Sequence, residues 1–193
     1  IMPVFGGMLA DQILGSKKAV TYGAILLVFG HLGMTVESSE QIFYLSLALI
    51  VSGVGFLKPN ISTMVGALYK EGDPRRDSGF TIFYMGINIG AFTATLLCGY
   101  LGEQVGWSYG FGAAGIGMLF GLIIFLWGQK YLEGHAEPPS NKYLEKMNGI
   151  SYEYWAYISG IFMVLATWFL VQNSQLVGQL LGGFGAVFIG AWL

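Results

Sequence analysis

Seven apolar runs in this sequence are long enough, or nearly long enough, to cross a lipid bilayer as α-helices. The hydrocarbon core of a bilayer is about 30 Å thick, and a helix needs about 20 mostly apolar residues to cross it. The runs do not alternate with a period of two, so they predict helices and not the strands of a membrane barrel. They cover residues 1–10, 19–36, 42–69, 80–101, 107–127, 152–171 and 176–193.

The composition agrees with a chain that has lipid as its main solvent. Hydrophobic residues make up 54% of the chain and charged residues 10%, whereas a soluble domain carries about 25% charged residues. The formal net charge of −2 argues against a nucleic-acid partner. We therefore expect an all-α integral membrane protein. Because its first and last runs are cut short, we interpret the sequence as an internal fragment of a longer polypeptide.

The positive charges predict which connections face the cytoplasm. Eight of the nine lysines and arginines lie in three alternate connections, at 11–18, 70–77 and 128–150. The positive-inside rule places such connections on the cytoplasmic side of the membrane. The longest of them contains adjacent prolines and mixed charges, which predict a cytoplasmic linker over 128–150.

The ninth positive charge, Lys58, lies inside a span. Counted back from Lys70, it lies about 18 Å above the cytoplasmic end of the helix, at about 1.5 Å per residue. A lysine side chain reaches only about 6 Å toward the membrane surface, so we expect Lys58 to face a polar cavity in the bundle interior. All eleven acidic residues lie in connections or at the ends of runs. The counter-charge of Lys58 is therefore expected from substrate or from a part of the protein outside this sequence.

Other polar residues are predicted at or near the same depth. Pro59 leaves a carbonyl of its helix unpaired, and we expect Asn60 and this carbonyl to line the cavity. Tyr84 and Asn88 are four residues apart and share a helix face. Together with Lys58 they could bind the carboxylate and amide groups of a peptide. The alternative for Asn88 is a hydrogen bond between helices. Small-residue spacing also predicts close helix packing at two glycine pairs, Gly86 with Gly90 and Gly117 with Gly121.

Three stretches resemble a known family. Gly6–Gly15, followed by two lysines, is similar to the loop signature of the major facilitator superfamily, with the extra residue before the second glycine seen in its peptide-transporter branch. Phe80–Phe92 resembles the second signature of the proton-dependent oligopeptide transporters along its whole length. Phe56–Asn60 resembles the lysine motif of that family.

The resemblance implies a major facilitator-type helical bundle that is incomplete here. Residues 1–127 would hold helices two to six of the amino-terminal bundle, and 151–193 the helix pair that many bacterial members insert, with its second helix truncated. The matching substrate-binding positions are Lys58, Tyr84 and Asn88. The matching positions of the cytoplasmic gating loop are Gly7, Asp11 and Gly15. The first helix and the carboxy-terminal bundle would belong to the remainder of the same polypeptide.

The implied function is proton-coupled symport of di- and tripeptides across the inner (plasma) membrane by alternating access. The proton is the coupling ion, and neither a metal nor another cofactor is expected. One alternative is a related symporter for another small anion such as nitrate or a carboxylate. The other is a membrane scaffold or an intramembrane enzyme. An enzyme is not expected, because the spans carry no nucleophile–base pair and no metal-ligand spacing.

Overall fold

Six α-helices form most of the structure, a computed structural model that describes residues 2–132, 134–138, 141–147, 149–173, 175 and 177–179. The helices are α1 (Met2–Leu9), α2 (Gly15–Gly33), α3 (Glu40–Ala67), α4 (Arg75–Gln104), α5 (Trp107–Gly128) and α6 (Tyr152–Gln172). A π-helical turn, Ala10–Leu14, connects α1 to α2. Two 3-10 turns and a short hairpin of β1 (Lys146–Met147) and β2 (Ile150–Ser151) lie between α5 and α6.

The helices confirm the expected all-α membrane fold. Within the described residues, five helical stretches are apolar and long enough to cross a membrane; the first contains both α1 and α2, of which α2 alone has 19 residues. The predicted second inserted helix, 176–193, lies mostly outside the described residues. The segment 11–18 was expected to be a loop, and this expectation is wrong. Its residues belong to the π-helical turn and to the first turn of α2.

The chain nevertheless reverses direction within this segment. The rings of Phe5 on α1 and Tyr22 on α2 both contact the ring of Phe56, with centroids 6.4 Å and 5.0 Å away. Positions 5 and 22 of one straight helix would lie about 25 Å apart, so α1 and α2 must fold back on each other. Gly15 has a φ of 74°, a conformation that favours glycine, and its N–H donates to the carbonyl of Ala10.

Glycines let α1, α2 and α3 approach closely. Gly23 and Gly53 face each other, and a Cβ on Gly23 would lie 2.7 Å from the carbonyl oxygen of Gly53. Gly6 lies against the carbonyl of Gly55. At the four positions of the two predicted pairs, a Cβ would meet nothing within 4 Å in the described part of the chain, so close packing there stays a prediction. Residue spacing predicts small-residue faces, but it does not tell which faces are covered.

Helix α6 shares a core with the first three helices. One apolar cluster joins them, with Ala156 and Val164 contributed by α6. The other buried members are Leu9, Ala10, Leu14, Ala19, Leu26, Ala48 and Phe56. Because burial of apolar and small side chains packs these helices together, α6 forms one body with α1, α2 and α3.

Helix α4 is much more exposed. It packs on α5 near their connection, where Gly102 lies against the ring of Trp107. It approaches α3 beside their own connection, where Gly66 lies near Phe80. In the most apolar 18-residue stretch of α4, no residue is buried by the other described residues. The face of α4 that carries the predicted binding residues is therefore open in this part of the chain.

Candidate functional site

Lys58 projects from the middle of an apolar span. It lies nine residues before the end of α3, which corresponds to about 14 Å along the helix. The side chain is exposed. Among the described residues it has neither a hydrogen-bond nor an ion-pair partner. A free ammonium at this depth is costly in a membrane and requires water or an anion beside it. That it faces the interior of the bundle stays a prediction.

Tyr84 and Asn88 lie one turn apart on α4, as predicted. The amide of Asn88 donates to the backbone carbonyl of Tyr84 at 2.8 Å, which leaves its side-chain oxygen available. Tyr84 is 53% exposed, and its ring stacks on Phe80. No hydrogen bond links either residue to Lys58 within the described part of the chain. A shared site for the three residues therefore remains a prediction.

Asn60 has a different environment from the expected one. It is 1% exposed, so it does not line a polar cavity in the described structure. Its side-chain nitrogen donates to the carbonyl of Gly6 at 3.2 Å and to that of Phe56 at 2.7 Å. One amide therefore connects α1 to α3 two residues after Lys58. The sequence placed this polar group at the right depth but could not show which neighbouring helix covers it.

The neighbouring proline makes this contact between α1 and α3 closer. Pro59 has no N–H, so it cannot donate to the carbonyl of Gly55 four residues earlier. That carbonyl was expected to face water, and in the structure it faces Gly6 of α1. A glycine Cα–H can approach a carbonyl as a weak donor. The backbone on the amino-terminal side of Lys58 is thereby packed against α1.

The predicted gating residues lie along the reversal between α1 and α2. Gly7 is half-buried, and a Cβ there would lie 3.9 Å from the ring of Pro59. Asp11 is exposed in the π-helical turn. At Gly15 a Cβ would lie 2.7 Å from the backbone of Glu137 and Pro138. A π-helical turn is uncommon and is often found at functional sites.

Sequence reasoning missed two ion pairs on the carboxy-terminal side of this reversal. Lys17 pairs with Glu137 of the segment between α5 and α6. Lys18 pairs with Glu153 in the first turn of α6, at 2.7 Å. The available signal was charge complementarity between the two basic residues and the acidic residues of 133–153. It could not select partners, because several carboxylates in that stretch fit equally well.

These features, together with the likeness to a solved structure, define a class of protein. Membrane-length helices packed through glycines, with an unpaired cation at mid-span, form part of a multi-pass membrane transporter of the major facilitator type. The sequence profile of the POT family matches residues 17–174, and the chain belongs to that family. Its named relatives in this comparison are peptide transporters and not enzymes, which agrees with the sequence prediction.

Named relatives show the same relationship. The chain is 49% identical over 140 residues to the peptide transporter YePEPT of Yersinia enterocolitica, covering 72% of this chain and 26% of that protein. It is 42% identical over 146 residues to a di-/tripeptide transporter of Lactobacillus helveticus, covering 70% and 29%. A crystal structure of a peptide transporter POT variant with alafosfalin superposes with a TM-score of 0.76 at 37% identity, over 97% of this chain and 38% of that one. The chain spans about a quarter of the length of the curated relatives it matches.

The two asparagines predicted at or near the depth of Lys58 should respond differently to truncation. We expect Asn60→Ala to lower the free energy of unfolding by about 1–2 kcal/mol, because a buried amide between helices is lost. Asn88→Ala should change it by less than about 0.5 kcal/mol, since that amide bonds within its own helix. Thermal unfolding in detergent measures both. Equal destabilisation would mean that Asn88 forms a hydrogen bond between helices in the complete protein.

Proposed function

We propose that the complete protein is a symporter that couples the uptake of di- and tripeptides to proton entry through the cytoplasmic membrane. The observation that carries the proposal is the unpaired Lys58 at mid-span of α3. Relatives named as peptide transporters support the substrate class. In this orientation the connections 11–18, 70–77 and 128–150 face the cytoplasm.

The binding chemistry follows from the groups at this depth. A peptide carries a carboxylate, which the ammonium of Lys58 can hold by a charge-assisted hydrogen bond. Its amides can pair with the phenol of Tyr84 and the side-chain amide of Asn88. In a site between apolar helices, each of these polar groups would need a partner when substrate excludes water. A peptide supplies such partners along its backbone.

Proton coupling requires an acid that competes with substrate for Lys58. Within the described residues no carboxylate forms an ion pair with Lys58, so we propose that the acid belongs to the remainder of the polypeptide, in the first helix. When that acid is ionised it pairs with Lys58, and when it is protonated it releases the lysine. Proton entry would thereby make the ammonium available to the peptide. The proton is the coupling ion, and the scheme needs no other cofactor.

An unpaired cation also suits a smaller anion, so nitrate is the second candidate substrate. The test uses the complete protein, purified into vesicles with an acidic exterior, and follows internal pH as each solute is added. We expect a dipeptide to drive proton entry and nitrate to leave the internal pH unchanged. Proton entry with nitrate and none with di- or tripeptides would overturn the proposal.

A further inference from the structure

The reversal between α1 and α2 is held from outside by an ion pair with the inserted helix. We name residues 10–18 the gate segment. The ammonium of Lys18 lies 2.7 Å from a carboxylate oxygen of Glu153 on α6, and 4.6 Å from the ring centroid of Tyr143. A lysine that meets both a carboxylate and an aromatic face is held on two sides.

Glu153 is itself well placed to keep this position. It lies in the first turn of α6, where the positive end of the helix dipole favours a carboxylate. Its oxygen also accepts a hydrogen bond from the hydroxyl of Tyr157, one turn along α6, at 3.2 Å. The side chains of Lys18 and Glu153 are 33% and 23% exposed. Their attraction is therefore less screened than that of a fully exposed pair.

A second set of contacts joins the gate segment to the residues between α5 and α6. The backbone N–H of Lys17 donates to the carbonyl of Ala136 at 3.2 Å, and its ammonium pairs with Glu137. The backbone of Glu137 and Pro138 lies directly against Gly15, where a side chain would not fit. Backbone contact and charge pairing thus act on the same short segment.

We propose that Glu153 is a positioning residue that fixes the gate segment through Lys18, so that α6 braces the gate. The inference rests on the proposed function, because a gate matters only if the protein transports. It assigns a mechanical task to the inserted helix: the gate segment moves with α1, α2, α3 and α6 as one body. Asp11 is exposed and stays available to bind on the opposite side.

Charge reversal in the complete transporter tests the brace. The variants are Lys18→Glu, Glu153→Lys and the two combined, with proton-driven dipeptide uptake as one measurement. The other is the rate at which a water-soluble thiol reagent labels Ser16→Cys. We expect each single reversal to lower uptake about tenfold and to raise labelling, since residues in contact couple strongly. The double reversal should restore both within about twofold.

Two further variants complete the test. Glu153→Gln keeps the shape of the side chain without its charge, and it should give an intermediate change in uptake and in labelling. It serves as the test if the charge-reversal variants fold poorly. Glu145→Lys alters an exposed carboxylate before β1 and should leave uptake and labelling unchanged. Normal labelling in both single reversals overturns the proposal, and so does a double reversal that restores neither measurement. If the unaltered protein takes up no peptide, the proposed function fails, and the labelling series still tests the brace.

Discussion

Replacing Lys58 with alanine is expected to abolish proton-driven peptide uptake while leaving the protein folded. In the proposed complex the peptide carboxylate would lose its cationic partner, and such a loss costs about 2–5 kcal/mol once water is excluded, so uptake should fall by about 100-fold. Coupling should fail as well, because the acid in the rest of the chain and the peptide would no longer compete for Lys58. The measurement is dipeptide uptake into vesicles under an acid-outside gradient, normalised to the amount of folded transporter.

A second lysine provides the control for this experiment. Lys146 is exposed in the short β1 strand, and Lys146→Ala should keep uptake within about twofold, because surface substitutions away from a site change little. Uptake by Lys58→Ala at the level of the control would remove Lys58 from the binding site. It would also leave the family's lysine motif without the role proposed for it here.

The second large effect is expected at Gly6, where a single added methyl group should destabilise the bundle. A Cβ there would lie 2.8 Å from the carbonyl carbon of Gly55 and 2.9 Å from the Cα of Phe56. Both are backbone atoms, so α1 would have to move away from α3. We expect Gly6→Ala to lower the free energy of unfolding by about 3 kcal/mol, at the upper end for an overpacked core. Thermal unfolding in detergent measures the loss.

The adjacent glycine is a matched control, since it lies on the same turn of α1. At Gly7 a Cβ would meet the ring of Pro59 at 3.9 Å, which is ordinary contact. Gly7→Ala should therefore stay within about 0.5 kcal/mol of the unaltered protein in the unfolding measurement. If both alanine variants unfold alike, the close approach of α1 to α3 does not contribute to stability as we infer.

Much of the helical arrangement was predictable because the bilayer imposes it on the sequence. Long apolar runs gave α3, α4, α5 and α6 to within a few residues. The depth of Lys58 followed from counting residues along a helix of known rise. These predictions depend on one element at a time, and they needed no knowledge of which helices touch.

What could not be predicted depends on contacts between elements. The segment 11–18 carries a charge pattern typical of a loop, yet a π-helical turn and the start of α2 occupy it, and the non-helical φ of 74° and ψ of 157° at Gly15 interrupt the helix within the reversal. The partners of Lys18 and of Asn60 come from residues distant in sequence, Glu153 and Gly6. Position along the sequence predicts the depth of such groups in the membrane, but it does not predict which residues of other helices lie beside them.

The missing hydrogen bond at Pro59 leaves one turn of the long helix α3 weaker than the others. The amide of Asn60 holds the following turn to α1, and the preceding turns lie against α1 and α2 at Gly55 and Gly53. Glu40 begins α3 nineteen residues before the proline, about 28 Å away, so a tilt of about 10° there would shift it by about 5 Å and break these backbone contacts. The lysine beside the proline is therefore expected to travel with α1, α2 and α3 as one rigid unit.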